Sequence, residues 1–405
     1  MQQLKKSNRL QNVNYEIRGP VLEEADRMAA AGEKILKLNI GNPAPFGFKP
    51  DEQLMQIMRE QLLTSQGYSE SKGIRVAREA IAEYCAYKGI EGVTADDIFT
   101  GNGVSEMIIM TMQAFLNHGD EILVPAPDYP LWSSAVCLCG GTPVYYPCDE
   151  QADWAPDLDA MRHCITPRTR GIVIINPNNP TGAVYSKEIL LGIAQIAREH
   201  NLVIFSDEIY DRLLMDGVEH TSIASLAPDL FTVTYNGLSK SHLVTGFRCG
   251  WMCLCGNKNG IENFREGLNT LASLRLCSNV PAQSIVPFAL SQRDKVDPLY
   301  RPGGRVYEQR EFIVNALNSI PGVSAVKPPA TFYIFPRLDT KKFGITDDKK
   351  FAVDLLRQKK ILIVPGTGFH WNTPDHFRIV YLPQMQELET GMHELADFLS
   401  SYRQG

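Results

Sequence analysis

The chain has 405 residues, 44% of them hydrophobic and 21% charged, and a formal net charge of -6 from 40 basic and 46 acidic side chains. That composition excludes a disordered chain, a collagen-like rod and a small disulfide-stapled fold, and the length suggests two or three domains at about 150 residues each. There is no basic excess to point to nucleic acid, and the best apolar runs, at 171–175 and 202–205, fall far short of the about 18 residues that a membrane span needs.

The opening segment, MQQLKKSNRLQNVNYEIRG, is polar and has no apolar stretch of the secretory kind, so a cytoplasmic protein is expected. A helix is predicted over 21–31, followed by a strand over 35–40 that ends in the Gly/Pro-rich segment GNPAPFGFKP. From about residue 74 strand and helix patterns alternate. Helical periodicity covers 74–88, a short strand at 98–100 leads into a glycine turn, and an apolar helix runs over 104–117. Strands follow at 121–124 and 143–146, with a Pro-rich turn and a further helix between them. Next come a strand at 171–175, the loop NPNNPTG, a helix at 187–200, and strands at 202–206 and 232–235. This alternation predicts an α/β fold whose sheet is mostly parallel and covered by helices on both faces. The last hundred or so residues change character. A helix at 307–319, short strands at 332–335, 361–364 and 377–381 and a closing helix at 385–402 predict a smaller α+β unit. The nine cysteines, an odd number, and eight scattered histidines form no metal or disulfide pattern and read as free thiols in a reducing compartment. The pairs Cys137/Cys139 and Cys253/Cys255 are each expected on one face of a strand, because alternate strand residues point the same way.

In a parallel sheet, ligands gather beyond the carboxyl ends of the strands. The segments that follow the predicted strands bring a Gly101-Asn102-Gly103 turn opening a helix at Val104 and Ser105, then Tyr129, Asn179, Asp207 and Tyr210, and finally Ser239 and Lys240, with Arg248 eight residues further on. These groups suit pyridoxal phosphate. Lys240 can supply the amine for a Schiff base, and Asp207 a buried carboxylate that keeps the pyridine nitrogen protonated. Asn179 and Tyr210 can donate to the ring oxygen, and Tyr129 can cover the ring face. The Val104 and Ser105 amides with Arg248 can hold the phosphate. Taken singly each is weak: a lysine after a strand is usually solvated, and Asp207-Glu208 could be a helix cap. Their joint occurrence in this order carries the case.

The segments GNP at 41–43, YSESKG at 68–73, GNGVSE at 101–106, PDYP at 127–130, NPNNPTG at 176–182, SDEIY at 206–210, LSK with TGFRCGW at 238–251 and FRIVYL at 377–382 make the chain resemble the fold-type I pyridoxal-phosphate aminotransferases of class I/II over nearly its whole length. Within that branch YEIRGP at 15–20, NIGNPAPFGF and PAPDYPLW are similar to alanine (glutamate–pyruvate) transaminases, most closely bacterial ones. The resemblance implies a large cofactor-binding domain at 50–295 and a small domain from 1–49 and 296–405, with the N-terminal arm over the active site. It implies one antiparallel strand in the sheet, which the residues themselves do not reveal. Lys240 would hold the cofactor and then move a proton, Asp207 would keep the pyridinium charged, and Arg378 would bind the substrate carboxylate with the Gly41 backbone and Asn179. Tyr68 would reach the neighbouring subunit's phosphate in a homodimer, and Tyr15 and Arg18 would meet the second carboxylate of glutamate. Two positions depart from the family pattern. Gly237 stands where many relatives carry a hydroxyl, for which Ser239 is the expected substitute, and Cys249 beside Arg248 is read as packing. An aspartate-preferring or broad-specificity transaminase, a C–S lyase on the same scaffold and a cofactor-sensing regulator domain are the alternative readings. The YEIRGP opening disfavours the lyase, and the acidic charge with the short lead to the first core strand disfavours the regulator.

Overall fold

The computed structural model describes residues 4–11, 13, 19–292 and 297–405. Eight strands form the central sheet, in the order Ile98–Asn102, Cys249–Gly256, Phe231–Gly237, Val203–Asp207, Thr169–Ile175, Glu121–Ala126, Thr142–Asp149 and Ala155–Pro156. The five from Phe231–Gly237 to Thr142–Asp149 pair in parallel. Cys249–Gly256 runs antiparallel to both of its neighbours, and Ala155–Pro156 is an antiparallel edge.

The parallel strands read as unbroken apolar runs because both of their faces are covered. In Thr169–Ile175, Val173 and Ile175 enter one apolar cluster with the helix Val104–Phe115, while Ile172 and Ile174 enter another with the helix Lys187–His200. The second helix begins where the Ser186 side chain accepts from the Ile189 amide, and ends at Asn201 in the left-handed conformation. A further apolar cluster is built almost wholly from residues 21–48 and 300–402. There the helices Pro20–Ala30, Arg305–Ser319, Asp348–Lys359 and Met385–Ser401 surround a sheet of Tyr333–Ile334, Phe377–Val380 and Val364–Pro365. No helix among the described residues is long and apolar enough to cross a membrane.

Most predicted elements lie within a few residues of their observed positions; the differences have physical causes. The strand expected over 35–40 shrinks to Leu36–Lys37, and that expected over 361–364 splits into Ile361–Leu362 and Val364–Pro365. The two pieces serve different partners: Ile361–Leu362 pairs with Leu36–Lys37, Val364–Pro365 with Phe377–Val380. Cys253 and Cys255 share one strand face as expected. Cys137 instead lies in the last turn of the helix Leu131–Leu138 and Cys139 caps it; both fall in the helix expected between the strands at 121–124 and 143–146, where a two-residue spacing does not put side chains on one face. All nine cysteines are free thiols. The helices Glu52–Gln61, Glu262–Leu274, Val280–Ser284 and Val286–Ser291 were not among the expectations.

Candidate active site

A cavity of about 220 Å³ opens at the carboxyl ends of the parallel strands. Val104, Ser105, Tyr129, Asn179, Asp207, Tyr210, Ser239, Lys240, Arg248, Gly41 and Arg378 all line it. Eleven expected residues from separate segments thus meet in one place. Tyr68 lines none of it and is 83% exposed. Tyr15 and Arg18 lie outside the described residues.

The local sequence explains each placement. Gly103, at φ 85°, turns the strand Ile98–Asn102 into the helix Val104–Phe115. A Cβ there would come within 2.2 Å of the Arg248 guanidinium, so only glycine lets that cation reach the first turn, where unsatisfied backbone N–H groups favour an anion. Arg248 also donates to the Thr245 carbonyl at 2.9 Å, and its Nη1 is 3.5 Å from Ser239 Oγ. In the loop after Thr169–Ile175, Asn178 Oδ1 accepts from the Thr181 hydroxyl at 2.9 Å and from the Thr181 amide at 3.2 Å. This turn leaves Asn179 facing the cavity, where its Oδ1 accepts from Arg378 Nη1 at 2.9 Å. Arg378 Nη2 donates to the Asn39 carbonyl, and the guanidinium lies over the Tyr333 and Phe369 rings.

Lys240 lies in the short helix Leu238–Ser241 after Phe231–Gly237, and its Nζ donates to the Gly41 carbonyl at 2.6 Å. Burial lowers its pKa, and the nearby Arg378 and Arg248 push the same way against the Tyr333 hydroxyl. The shift is toward the neutral amine, the form a nucleophile needs. Asp207 ends its strand with Oδ2 accepting from the Trp132 indole at 3.1 Å and Oδ1 from the Ile209 amide at 3.3 Å. Burial pushes its pKa up to about 6 despite the Trp132 bond. A cation placed against this carboxylate would reverse that shift. Burial beside Tyr333 pushes the Tyr210 hydroxyl well up, so the phenol stays a donor.

Tyr333, Trp132 and Asn39 were missed by the sequence reading. Tyr333 Oη is 2.9 Å from Tyr210 Oη, and a Cβ on Gly41 would fall within 2.0 Å of it. The signals for Trp132 were its position three residues after Tyr129 and its place at the end of the PAPDYPLW segment. For Tyr333 there was none beyond a short predicted strand. At Gly237 a Cβ would meet the Cys249 carbonyl oxygen at 2.6 Å, so the side chain that relatives were expected to carry has no room. Ser239, the residue expected in its stead, lines the cavity. Cys249 is buried in an apolar cluster, which pushes its thiol up to about 12, in keeping with packing.

The donor set fits pyridoxal phosphate by its chemistry: an amine with a lowered pKa, a buried carboxylate, a phenol, and a helix N-terminus beside an arginine, around one cavity. Comparison with known proteins identifies the family. The family model for aminotransferase class I and II matches residues 33–395. The glutamate–pyruvate aminotransferase AlaA of Escherichia coli K12 is 57% identical over 405 residues, all of both chains. An alanine aminotransferase of Mycobacterium tuberculosis is 50% identical over 98% of this chain and 93% of its own. The crystal structure of an aminotransferase from Escherichia coli superposes with a TM-score of 0.99 at 56% identity over all of both chains. The alanine aminotransferase from Pyrococcus furiosus gives 0.91 at 37% identity, covering 98% of this chain and 100% of its own. Sequence, fold and cavity converge, and the chain belongs to the class I and II aminotransferases.

Proposed function

We propose that the protein is a pyridoxal-phosphate-dependent alanine transaminase. It moves an amino group between alanine/pyruvate and glutamate/2-oxoglutarate in two half-reactions, the first product leaving before the second substrate enters. The observation that carries this reading is the convergence of Lys240, Asp207, Arg248 and the Val104 helix start on one cavity. The 57% identity to a glutamate–pyruvate aminotransferase supports the substrate class.

The cofactor, when bound, supplies an electron sink for the bond-breaking at the substrate Cα. Lys240 would hold the cofactor aldehyde and, once released, carry the Cα proton as a neutral amine. Asp207, steadied by Trp132 and the Ile209 amide, would keep the ring nitrogen protonated. Asn179 and Tyr210 would donate to the ring oxygen and Tyr129 would cover the ring. The Val104 and Ser105 amides, Ser239 and Arg248 would hold the phosphate. Arg378 would take the substrate carboxylate bidentately beside Asn179 and the Gly41 backbone. Tyr15 and Arg18 would close over small amino acids and accept glutamate. If Arg18→Ala leaves kcat/KM for both alanine and glutamate within about threefold, that last role is wrong.

The proposed organisation is a large domain at 50–295 and a small domain from 1–49 and 296–405, in a cytoplasmic homodimer. The separate apolar cluster of 21–48 and 300–402 supports the division. Tyr68 would cross to the partner's phosphate. Its exposure, with that of Leu62, Leu63, Val76, Leu274 and Leu276, supports a covered surface there. Borohydride reduction with peptide mapping should label Lys240. Adding alanine or aspartate to the yellow protein tests the substrate: rapid bleaching by aspartate with none by alanine would favour the aspartate enzyme. Pyruvate and ammonia release from cysteine without a 2-oxo acid would favour the lyase.

A further inference from the structure

Asp207 and Tyr210 line the cavity, but Glu208 and Asp211, which alternate with them in the same segment, do not. Glu208 is 1% exposed and Asp211 6% exposed, and both bind Lys88, which follows the helix Arg75–Tyr87. Lys88 Nζ donates to Asp211 Oδ2 at 2.9 Å and to Glu208 Oε2, and its side chain is 11% exposed. Further hydrogen bonds hold this ion triad, although Asp211 Oδ1 is buried without a hydrogen-bond partner among the described residues. Ser206 and Ser222 donate to Glu208 Oε1 at 2.9 and 2.6 Å. Tyr84 Oη donates to Asp211 Oδ2 at 2.9 Å. Asn236 Nδ2 donates to the same oxygen at 2.8 Å, while Asn236 Oδ1 accepts from the Gly237 amide at 2.7 Å. Gly237 is the residue from which the Lys240 helix starts.

Burying two carboxylates against one ammonium brings little net stability; apolar residues of similar volume often do as well. The attested use of such a cluster is to fix geometry. Here its hydrogen bonds reach both segments that carry the reactive groups: 206–211 through Glu208 and Asp211, and the corner at 236–237 through Asn236. We infer that Lys88 is a positioning residue for the transamination site, a clamp outside the cavity that fixes the Asp207–Tyr210 segment relative to the Lys240 helix. This deepens the reading of the cavity as a pyridoxal-phosphate site and rests on it.

The test uses the full chain, stripped of cofactor and titrated with pyridoxal phosphate. In Lys88→Met the dissociation constant should rise at least about tenfold, or about 1.4 kcal/mol. The visible circular-dichroism band per bound cofactor should also change in sign or lose about a third or more of its intensity, since it reports ring orientation. A merely structural lysine would lower stability to urea and leave both readouts alone; a Kd within about twofold of wild type with an unchanged band overturns the inference. Should Lys88→Met not fold, Tyr84→Phe decides, because it removes one hydroxyl from Asp211 and keeps the ring. Binding about threefold weaker is expected, and no change overturns the inference. Wild-type protein that is not labelled at Lys240 by borohydride defeats the underlying reading and the clamp together. Label at Lys240 with unaltered variants defeats the clamp alone.

Discussion

Two largely buried lysines lie on either side of the 206–211 segment and titrate in opposite directions. Burial depresses both, but at Lys88 the carboxylates of Asp211 and Glu208 more than reverse it and hold the ammonium charged. At Lys240 the nearby charges are the cations Arg378 and Arg248, which add to the effect of burial. The carboxylates follow suit: burial raises both Glu208 and Asp211, yet Lys88 leaves them below their usual range, whereas Asp207 on the cavity side is pushed up to about 6. The same residue types thus form a charge-paired cluster on one side and a poised one on the other. The sign of the neighbouring charge decides which, not burial.

That contrast can be broken by substitution. Lys240→Ala should lower kcat with alanine and 2-oxoglutarate by about 10⁴-fold, since it removes the general acid–base, while urea unfolding of the cofactor-free chain stays level or improves. A large loss of stability would place Lys240 with Lys88 as a structural cation. Asp207→Asn should cost about 10³-fold in kcat through lost charge stabilisation. Its stability effect has the opposite sign. Asp207 has a folded pKa raised from 3.8 to about 6, so the folded chain binds its proton more tightly. The stability this confers is full below about pH 4 and is lost as pH rises through about 6, leaving a cost of about 3 kcal/mol in the cofactor-free chain. Cofactor-free Asp207→Asn should therefore be more stable than wild type at pH 8 by up to that amount. The difference should vanish at about pH 4, as measured by denaturant midpoints at the two pH values.

Smaller effects sharpen the comparison. Arg378→Lys should lower kcat/KM for alanine by about 10²-fold, because an ammonium cannot grip a carboxylate bidentately. Gly237→Ser should destabilise the protein by about 1–3 kcal/mol, through overpacking against the Cys249 carbonyl, with no gain in cofactor affinity; a tighter Kd would show that the corner can yield. Tyr333→Phe, which removes the hydroxyl next to Tyr210, should cost about fivefold in kcat, or about 1 kcal/mol, with the denaturation midpoint nearly unchanged.

By itself the sequence determined which groups arrive at the strand ends. Each of GNGVSE, NPNNPTG, SDEIY and LSK couples a strand end to a turn, and a parallel sheet delivers strand ends to one rim. Local signals do not reach across the chain, and everything long-range was left to the tertiary structure. The antiparallel Cys249–Gly256 strand, the Trp132 bond to Asp207 and the Tyr333 bond to Tyr210 were all decided there. So was the fate of the two lysines, because a charge takes its pKa from neighbours in space: those of Lys88 lie 120 and 123 residues away.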